Sequence, residues 1–263
     1  MMPILSVLLF FASIQTAVAG LWEDLRFVNI PAGSFEMGST DGYTDERPVH
    51  MVKVNDFFMM DHELTVGEAR HLVKLHPGLI TVPPGDNDQL PVTVTYVEAN
   101  AIASKLSMVA GKKVRLPTEP EWEYAARGGL KQKQYPWGNP QDKFRGENVH
   151  LLLERVLGGE ECHPISSVPI GPVRSMSPSN AYGLYDMAGN VWEWTSSTYR
   201  PYPYKPQAQG DKLQDQGRRK KSTRDMIVIR GGGQADESCD VRVAFRGYAH
   251  LDSSYGVRFV TEK

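Results

Sequence analysis

"NAYGLYDMAGNVWEWTSS", Asn180 to Ser197, crowds two carboxylates, a turn and two tryptophans into one short segment. Asp186 and Glu193 supply the carboxylates. Gly189 and Asn190 between them favour a turn that can point main-chain carbonyls inward. Hard cations such as calcium gather about six to eight oxygens of this kind. A second reading needs no metal: the same two carboxylates can hold the turn by accepting hydrogen bonds from its backbone. The residues by themselves leave both open.

Upstream, "RLPTEPEWEYAARGG" (Arg115 to Gly129) opens a helix. Thr118-Glu119-Pro120-Glu121 is a capping box, with proline in the first turn, where its missing N–H costs nothing. Gly128 and Gly129 are natural stops. Arg115, Glu119, Glu121 and Arg127 surround Trp122 and Tyr124. Paired carboxylates, with Glu123 as a third, are one route to acid/base catalysis. The stronger reading is structural, since glutamates at a helix start cap it and complement its dipole.

Two further capping boxes predict two more helices. Thr65 to Glu68 is followed by apolar Ala69, Leu72 and Val73 on one face, and Thr95 to Glu98 by Ala99, Ile102, Ala103 and Leu106. Short β-like runs occur at Met51 to Val54, Met226 to Ile229 and Val257 to Val260. No period of solenoid length repeats. Three short helices among short strands and loops predict one compact α+β domain with no internal boundary.

Composition narrows the function. The 263 residues carry 29 basic and 31 acidic side chains, a balance that excludes a general nucleic-acid binder. The cluster Arg218-Arg219-Lys220-Lys221 lies in a polar stretch and reads as a solvated loop. Pro3 to Ala17 is apolar and uncharged, too short to span a bilayer, and followed by a small-residue cleavage site after Ala19. It reads as a secretory signal over residues 1–19, although the start lacks Lys or Arg; a buried N-terminal strand is the alternative. Residues 20–263 are then one domain working in the periplasm or outside the cell. Two cysteines, Cys162 and Cys239, cannot make a disulfide scaffold, and form a single bridge only if the fold joins them. The seven histidines show no metal-ligand spacing, and no Gly-x-Ser-x-Gly elbow is present.

The motifs taken in order resemble a known family. "FVNIPAGSFEMGS" (Phe27 to Ser39), "DERPVHMVKV" (Asp45 to Val54), "HELTVGEA" (His62 to Ala69) and "LPVTVTYVEA" (Leu90 to Ala99) lead into the two segments quoted above. "YPWGN" (Tyr135 to Asn139), "IRGGG" (Ile229 to Gly233) and "YGVRFV" (Tyr255 to Val260) complete the series. Together they resemble the formylglycine-generating enzyme, or sulfatase-modifying factor, superfamily. The resemblance implies a loop-rich α+β fold related to the C-type lectin fold. It also implies a calcium ion held by the Asp186 and Glu193 side chains and the Gly189 and Val191 carbonyls. A second calcium site would start at Asn148 and Val149, but its aspartate falls where this chain has only Glu160 and Glu161.

The family includes copper-dependent oxidases as well as non-catalytic binders, so the fold does not name the activity. The oxidases carry a cysteine pair after Arg-Gly-Gly that holds copper(I) as two thiolates. Here Arg230-Gly231-Gly232 matches, but Gly233 and Gln234 depart from the pattern. Asp236 falls near the first cysteine, and Cys239 matches neither position. Copper is therefore not expected. Cys239 is read as a small packed residue beside Arg242 and Arg246 rather than a reactive thiol. Arg230, Arg242, Arg246 and Arg258 are expected to make buried hydrogen bonds to carboxylates and carbonyls; a groove for an acidic partner is the alternative.

The expectation is an exported, non-catalytic binding or regulatory protein. Within the superfamily it resembles TagR-like periplasmic proteins, which feed the threonine-kinase pathway of type VI secretion. The partner would be a periplasmic protein such as a membrane-kinase ectodomain. It would be met by Arg218, Arg219, Gln234 and Asp236 on loops that depart from the oxidases, with neither nucleic acid nor a membrane span involved. The competing expectation is a periplasmic oxidase or tailoring enzyme of the pyoverdine-maturing kind, or a formylglycine-generating oxidase.

Overall fold

The computed structural model describes residues 22, 25–82, 85, 87–139, 169–175, 179–203, 226–233, 236 and 238–263. The three helices begin at the three capping boxes. Helix α1 spans Val66–Leu75, α2 Tyr96–Ala110 and α3 Glu119–Arg127. At each start the N-cap threonine hydroxyl accepts the N–H of the glutamate three residues on. That glutamate's carboxylate accepts the threonine N–H in return, at 2.7–2.8 Å. Helices α2 and α3 stop at Gly111 and Gly128, both left-handed with φ of 64° and 55°, a conformation glycine adopts without steric cost.

Eleven short strands complete the described fold. Strand β1 (Phe27–Ile30), β4 (Phe57–Met60), β11 (Val260–Glu262) and β6 (Val114–Arg115) form an antiparallel sheet in that order. The hairpin β2 (Gly33–Met37) and β3 (His50–Val54) stands beside it. Strands β7 (Glu193–Thr198), β8 (Ile227–Arg230) and β9 (Gly247–Ala249) make a second sheet, and β5 (Val94–Thr95) pairs β10 (Ser254–Tyr255).

Alternation along β4 divides the core. Met60 joins the cluster under α1 and α2, with Leu64, Leu72, Ile102, Leu106, Trp194 and Phe259. Phe57 and Met59 face the other way, into the cluster under α3 with Ile30, Trp122, Leu184 and Val260. Successive side chains of a strand point to opposite faces, so one short strand serves two cores.

The architecture is α+β with three helices, as expected. Strands β3 and β8 fall within a residue of their predicted bounds. The run Val257 to Val260 is a correction, because the strand begins only at Val260. Val257 O and Phe259 O instead accept single hydrogen bonds from Leu64 N and Met60 N, at 2.8 and 3.0 Å. Among the described residues no helix is long and apolar enough to cross a membrane.

Candidate functional site

The turn before β7 is built from residues in unusual backbone conformations. Asp186, Gly189 and Asn190 all have positive φ, at 55°, 93° and 64°. For the two non-glycines this is uncommon and needs support from neighbours. Asn190 has that support, since Oδ1 accepts the Gly171 N–H and Nδ2 donates to Glu63 Oε1, each at 3.1 Å. Gly189 N donates to Gly231 O at 2.8 Å, tying this turn to the glycine turn after β8.

Three carboxylates meet here. Asp186 and Glu193 are the pair read from sequence; Glu63 is the third, fully buried between β4 and α1. Sequence reasoning assigned Glu63 no role. The signal available was a run of three polar residues, Asp61-His62-Glu63, set between an apolar strand and a capping box. Arg258 stands against the group. Its Nη2 donates to Glu193 Oε1 at 2.8 Å and to Tyr185 O at 2.8 Å, and it lies 3.8 Å from Glu63 Oε2. Trp122 Nε1 donates to Glu193 Oε2 at 2.8 Å. Asp186 accepts the main-chain N–H of Arg174.

One oxygen is left over. Glu63 Oε2 is buried and accepts no hydrogen bond. Burial, then the charges of Asp186 and Glu193, hold the Glu63 carboxyl well above the ordinary glutamate range, with Arg258 only partly opposing them. Among the described residues no three acidic, histidine or cysteine side chains already converge as a metal shell. Glu193 is largely committed to Arg258 and Trp122. The orphaned Glu63 oxygen nevertheless fits a cation, which would add positive charge at a buried carboxylate that Arg258 approaches only to 3.8 Å. Glu63, Asp186 and Glu193, with the Gly189 and Val191 carbonyls, are the groups that would hold it.

A charged chain adjoins this group. His62, buried, is bonded through Nδ1 to Asp61 and through Nε2 to Glu68 at 3.1 Å. Arg174 Nη2 donates to Asp61 Oδ1 at 2.7 Å. Burial works against a charged His62, but its bonds to Asp61 and Glu68 prevail and raise its pKa. The chain braces the start of α1 and the segment that carries Arg174.

The glycine turn after β8 holds the residues that decide the chemistry. Gly231 and Gly232 have φ of 98° and 77°, and a Cβ at Gly232 would lie 2.6 Å from Val241 Cγ1. Cys239, in a helical turn over Ser238–Val241, is disulfide-bonded. This corrects its reading as a packed free residue, and the sulfur is committed to a covalent bond. The expected buried pairing of the arginines is seen in full. Arg230 bonds Glu123, Arg258 bonds Glu193, and Arg246 Nε donates to Glu119 Oε1 at 2.7 Å. Arg242 grips Glu46 with two bonds of 2.9 and 2.7 Å. Arg230, Arg246 and Arg258 are committed in this way inside the fold, while Arg242 also lines a polar cavity at its surface. Glu119, Glu121 and Glu123 are likewise structural, because each faces an arginine.

Of the expected contact residues, Asp236 is described: its Oδ2 accepts the Gly233 N–H at 2.6 Å. Arg218, Arg219, Gln234, Cys162 and the second calcium position at Asn148 and Val149 lie outside the described residues. Elsewhere a polar cavity of about 200 Å³ is lined by Glu36, Ser39, Arg127, Gln134 and Arg242 among others.

Comparison with known proteins places the chain. The sulfatase-modifying factor enzyme 1-like domain matches residues 23–263. The chain is 30% identical over 241 residues to the inactive C-alpha-formylglycine-generating enzyme 2 of Mus musculus, covering 74% of this chain and 76% of that one. It is 39% identical over 286 residues to the formylglycine-generating enzyme of Streptomyces coelicolor, covering 87% and 86%. It is 32% identical over 258 residues to the serine/threonine-protein kinase pkn1 of Chlamydia caviae, covering 89% of this chain but 37% of the kinase. The solved structure of PvdO from Pseudomonas aeruginosa superposes with a TM-score of 0.69 at 26% identity, over 90% of this chain and 94% of PvdO. With matched motifs, fold and whole-domain coverage in agreement, the chain belongs to the sulfatase-modifying factor enzyme 1-like domain family.

Proposed function

We propose that this chain is an exported, non-catalytic member of the family that acts by binding a protein partner. The observation that carries this is the fate of Cys239. A copper(I) oxidase site of the family's kind needs two thiolates after Arg-Gly-Gly, and this segment offers one cysteine, whose sulfur is in a disulfide. Asp236, a hard oxygen donor, stands near the first thiolate's place. The residues present do not fit copper. Similarity to a relative named inactive supports the reading, and similarity to part of a kinase supports a link to kinase signalling, for which type VI secretion is the narrower proposal.

Calcium in the Glu63–Asp186–Glu193 group is the structural part of the same proposal. Its work there would be to hold the turn before β7.

The test is direct. Purified protein supplied with copper and oxygen is expected to leave a Cys-x-Pro-x-Arg peptide unoxidised, as read by peptide mass. Copper-dependent aldehyde formation would overturn the proposal. A second expectation concerns export: the protein recovered from outside the cytoplasm should begin at Gly20 by mass spectrometry. A product retaining Met1 in the cytoplasm would refute it.

The likeness to PvdO keeps a second reading in view, that of a tailoring enzyme of the pyoverdine-maturing kind. The polar cavity beside Arg127 and Gln134 is what favours it. Such an enzyme should bind a small aromatic ligand in a pocket, whereas a regulator should bind through an exposed face.

A further inference from the structure

Beside the glycine turn, one half-buried carboxylate has no countercharge among the described residues. Asp236 Oδ2 accepts the Gly233 N–H at 2.6 Å, and the indole N–H of Trp192 reaches the same carboxyl. Burial raises the Asp236 pKa, and these two donors only partly oppose it. Among the described residues no basic side chain lowers the Asp236 pKa. The contrast with its surroundings is sharp, because Arg230, Arg242, Arg246 and Arg258 are each matched to a glutamate.

Aromatic rings flank the carboxylate. Trp192 is seated between two glycines: a Cβ at Gly233 would lie 2.9 Å from its Cδ1, and one at Gly247 would lie 2.7 Å from its Cζ3. A side chain at either position would displace the indole, so this part of the sequence fixes where the ring lies. Phe245 follows at 5.7 Å between centroids, and Tyr43 stands 5.4 Å beyond it with 47% of its surface exposed. Tyr255 lies close enough for the Asp236 charge to raise its own pKa, after burial.

Ring faces attract cations through their quadrupole, and a carboxylate among them adds a full negative charge. The combination selects against anions and gives a neutral side chain little to hold. We propose that Asp236, with Trp192 and Tyr255, receives a basic side chain presented by the protein partner. Lysine and arginine share the required charge; arginine adds a planar group that stacks on rings and forks onto carboxylates. This inference rests on the non-catalytic binding function proposed above and names the chemistry of that partner's contact. It also gives Asp236 a use in the place where an oxidase would keep a thiolate.

The experiment uses the whole folded protein labelled with nitrogen-15, following the indole N–H resonance of Trp192 assigned with Trp192→Phe. The probes are acetyl-Gly-Arg-Gly-amide, acetyl-Gly-Lys-Gly-amide and, as the uncharged control, acetyl-Gly-Gln-Gly-amide. The two basic peptides are expected to shift the resonance saturably, and the glutamine peptide is not. Asp236→Asn keeps an acceptor for Gly233 while removing the charge, and should weaken the basic peptides by about fivefold or more. Absence of a saturable shift with either basic peptide, an equal response to the glutamine peptide, or unchanged affinity in Asp236→Asn would each overturn the site. The three-peptide comparison on the unmutated protein stands even if the variant folds poorly. Copper-dependent oxidation would instead remove the non-catalytic reading, whatever the titration shows. A silent titration without oxidation would remove only this site.

Discussion

Glu123→Ala is expected to destabilise the protein by about 3–5 kcal/mol, the usual cost of removing one partner from a buried ion pair. Glu123 is fully buried in α3 and serves donors from three residues. Arg127 Nη2 reaches it at 2.7 Å, Gly38 N at 2.9 Å, and Arg230 Nη2 closes on its other oxygen. Truncation leaves Arg230 and Arg127 buried with one acceptor fewer and leaves the Gly38 N–H unpaired. Glu121→Ala is the control on the same helix. That side chain is 15% exposed and holds Arg115 while capping Thr118, so its loss should cost about 1–2 kcal/mol. Urea denaturation of both variants measures the difference. Equal losses would show that the Glu123 network adds nothing beyond the part-buried Arg115–Glu121 pair.

The arginine network shows what sequence can and cannot reveal. That Arg230, Arg242, Arg246 and Arg258 would be buried against carboxylates was legible, because a run of arginines in an apolar segment must be neutralised. Which glutamate each would meet was not. Arg242 finds Glu46 at a separation of 196 residues and Arg246 finds Glu119 at 127, and those pairings depend on sheet order and register. The helices were legible for the opposite reason. A capping box is complete within four residues, so Thr65, Thr95 and Thr118 declare their helices locally.

Glu63 fell between these cases. It belongs to a recognisable motif, yet its role depends on Asp186 and Glu193, which arrive from a turn far along the chain. The end of the chain misled for a related reason. Val257 to Val260 has strand composition, but Val257 and Phe259 spend their carbonyls on single bonds to Leu64 and Met60 instead of a ladder. The disulfide at Cys239 was equally invisible, since two cysteines specify a possible bridge but not the approach that forms it.

Calcium added to chelator-treated protein is expected to raise Tm by about 5–10 °C at saturating concentration, from the mass-action stabilisation of a folded-state ligand in a domain of this size. Asp186→Ala should erase most of that rise. Glu63→Gln provides the sharper signature. Its carboxyl is held above the ordinary value of 4.5 by burial and by its acidic neighbours. A carboxyl raised in the folded state contributes its full stability below that ordinary value and loses it as pH rises through the folded pKa. At neutral pH without calcium, Glu63 is thus a cost to the fold, and Glu63→Gln should melt no lower than the unmutated protein. With calcium present the order should reverse, because the variant has lost a ligand and the unmutated protein has gained a countercharge. Paired thermal melts in chelator and in millimolar calcium test both statements. The calcium site is refuted by equal melting temperatures in the two conditions, or by a calcium response that survives in Asp186→Ala. The reversal itself separates a ligand from a merely buried acid, since a structural glutamate would give the same ranking with and without the ion.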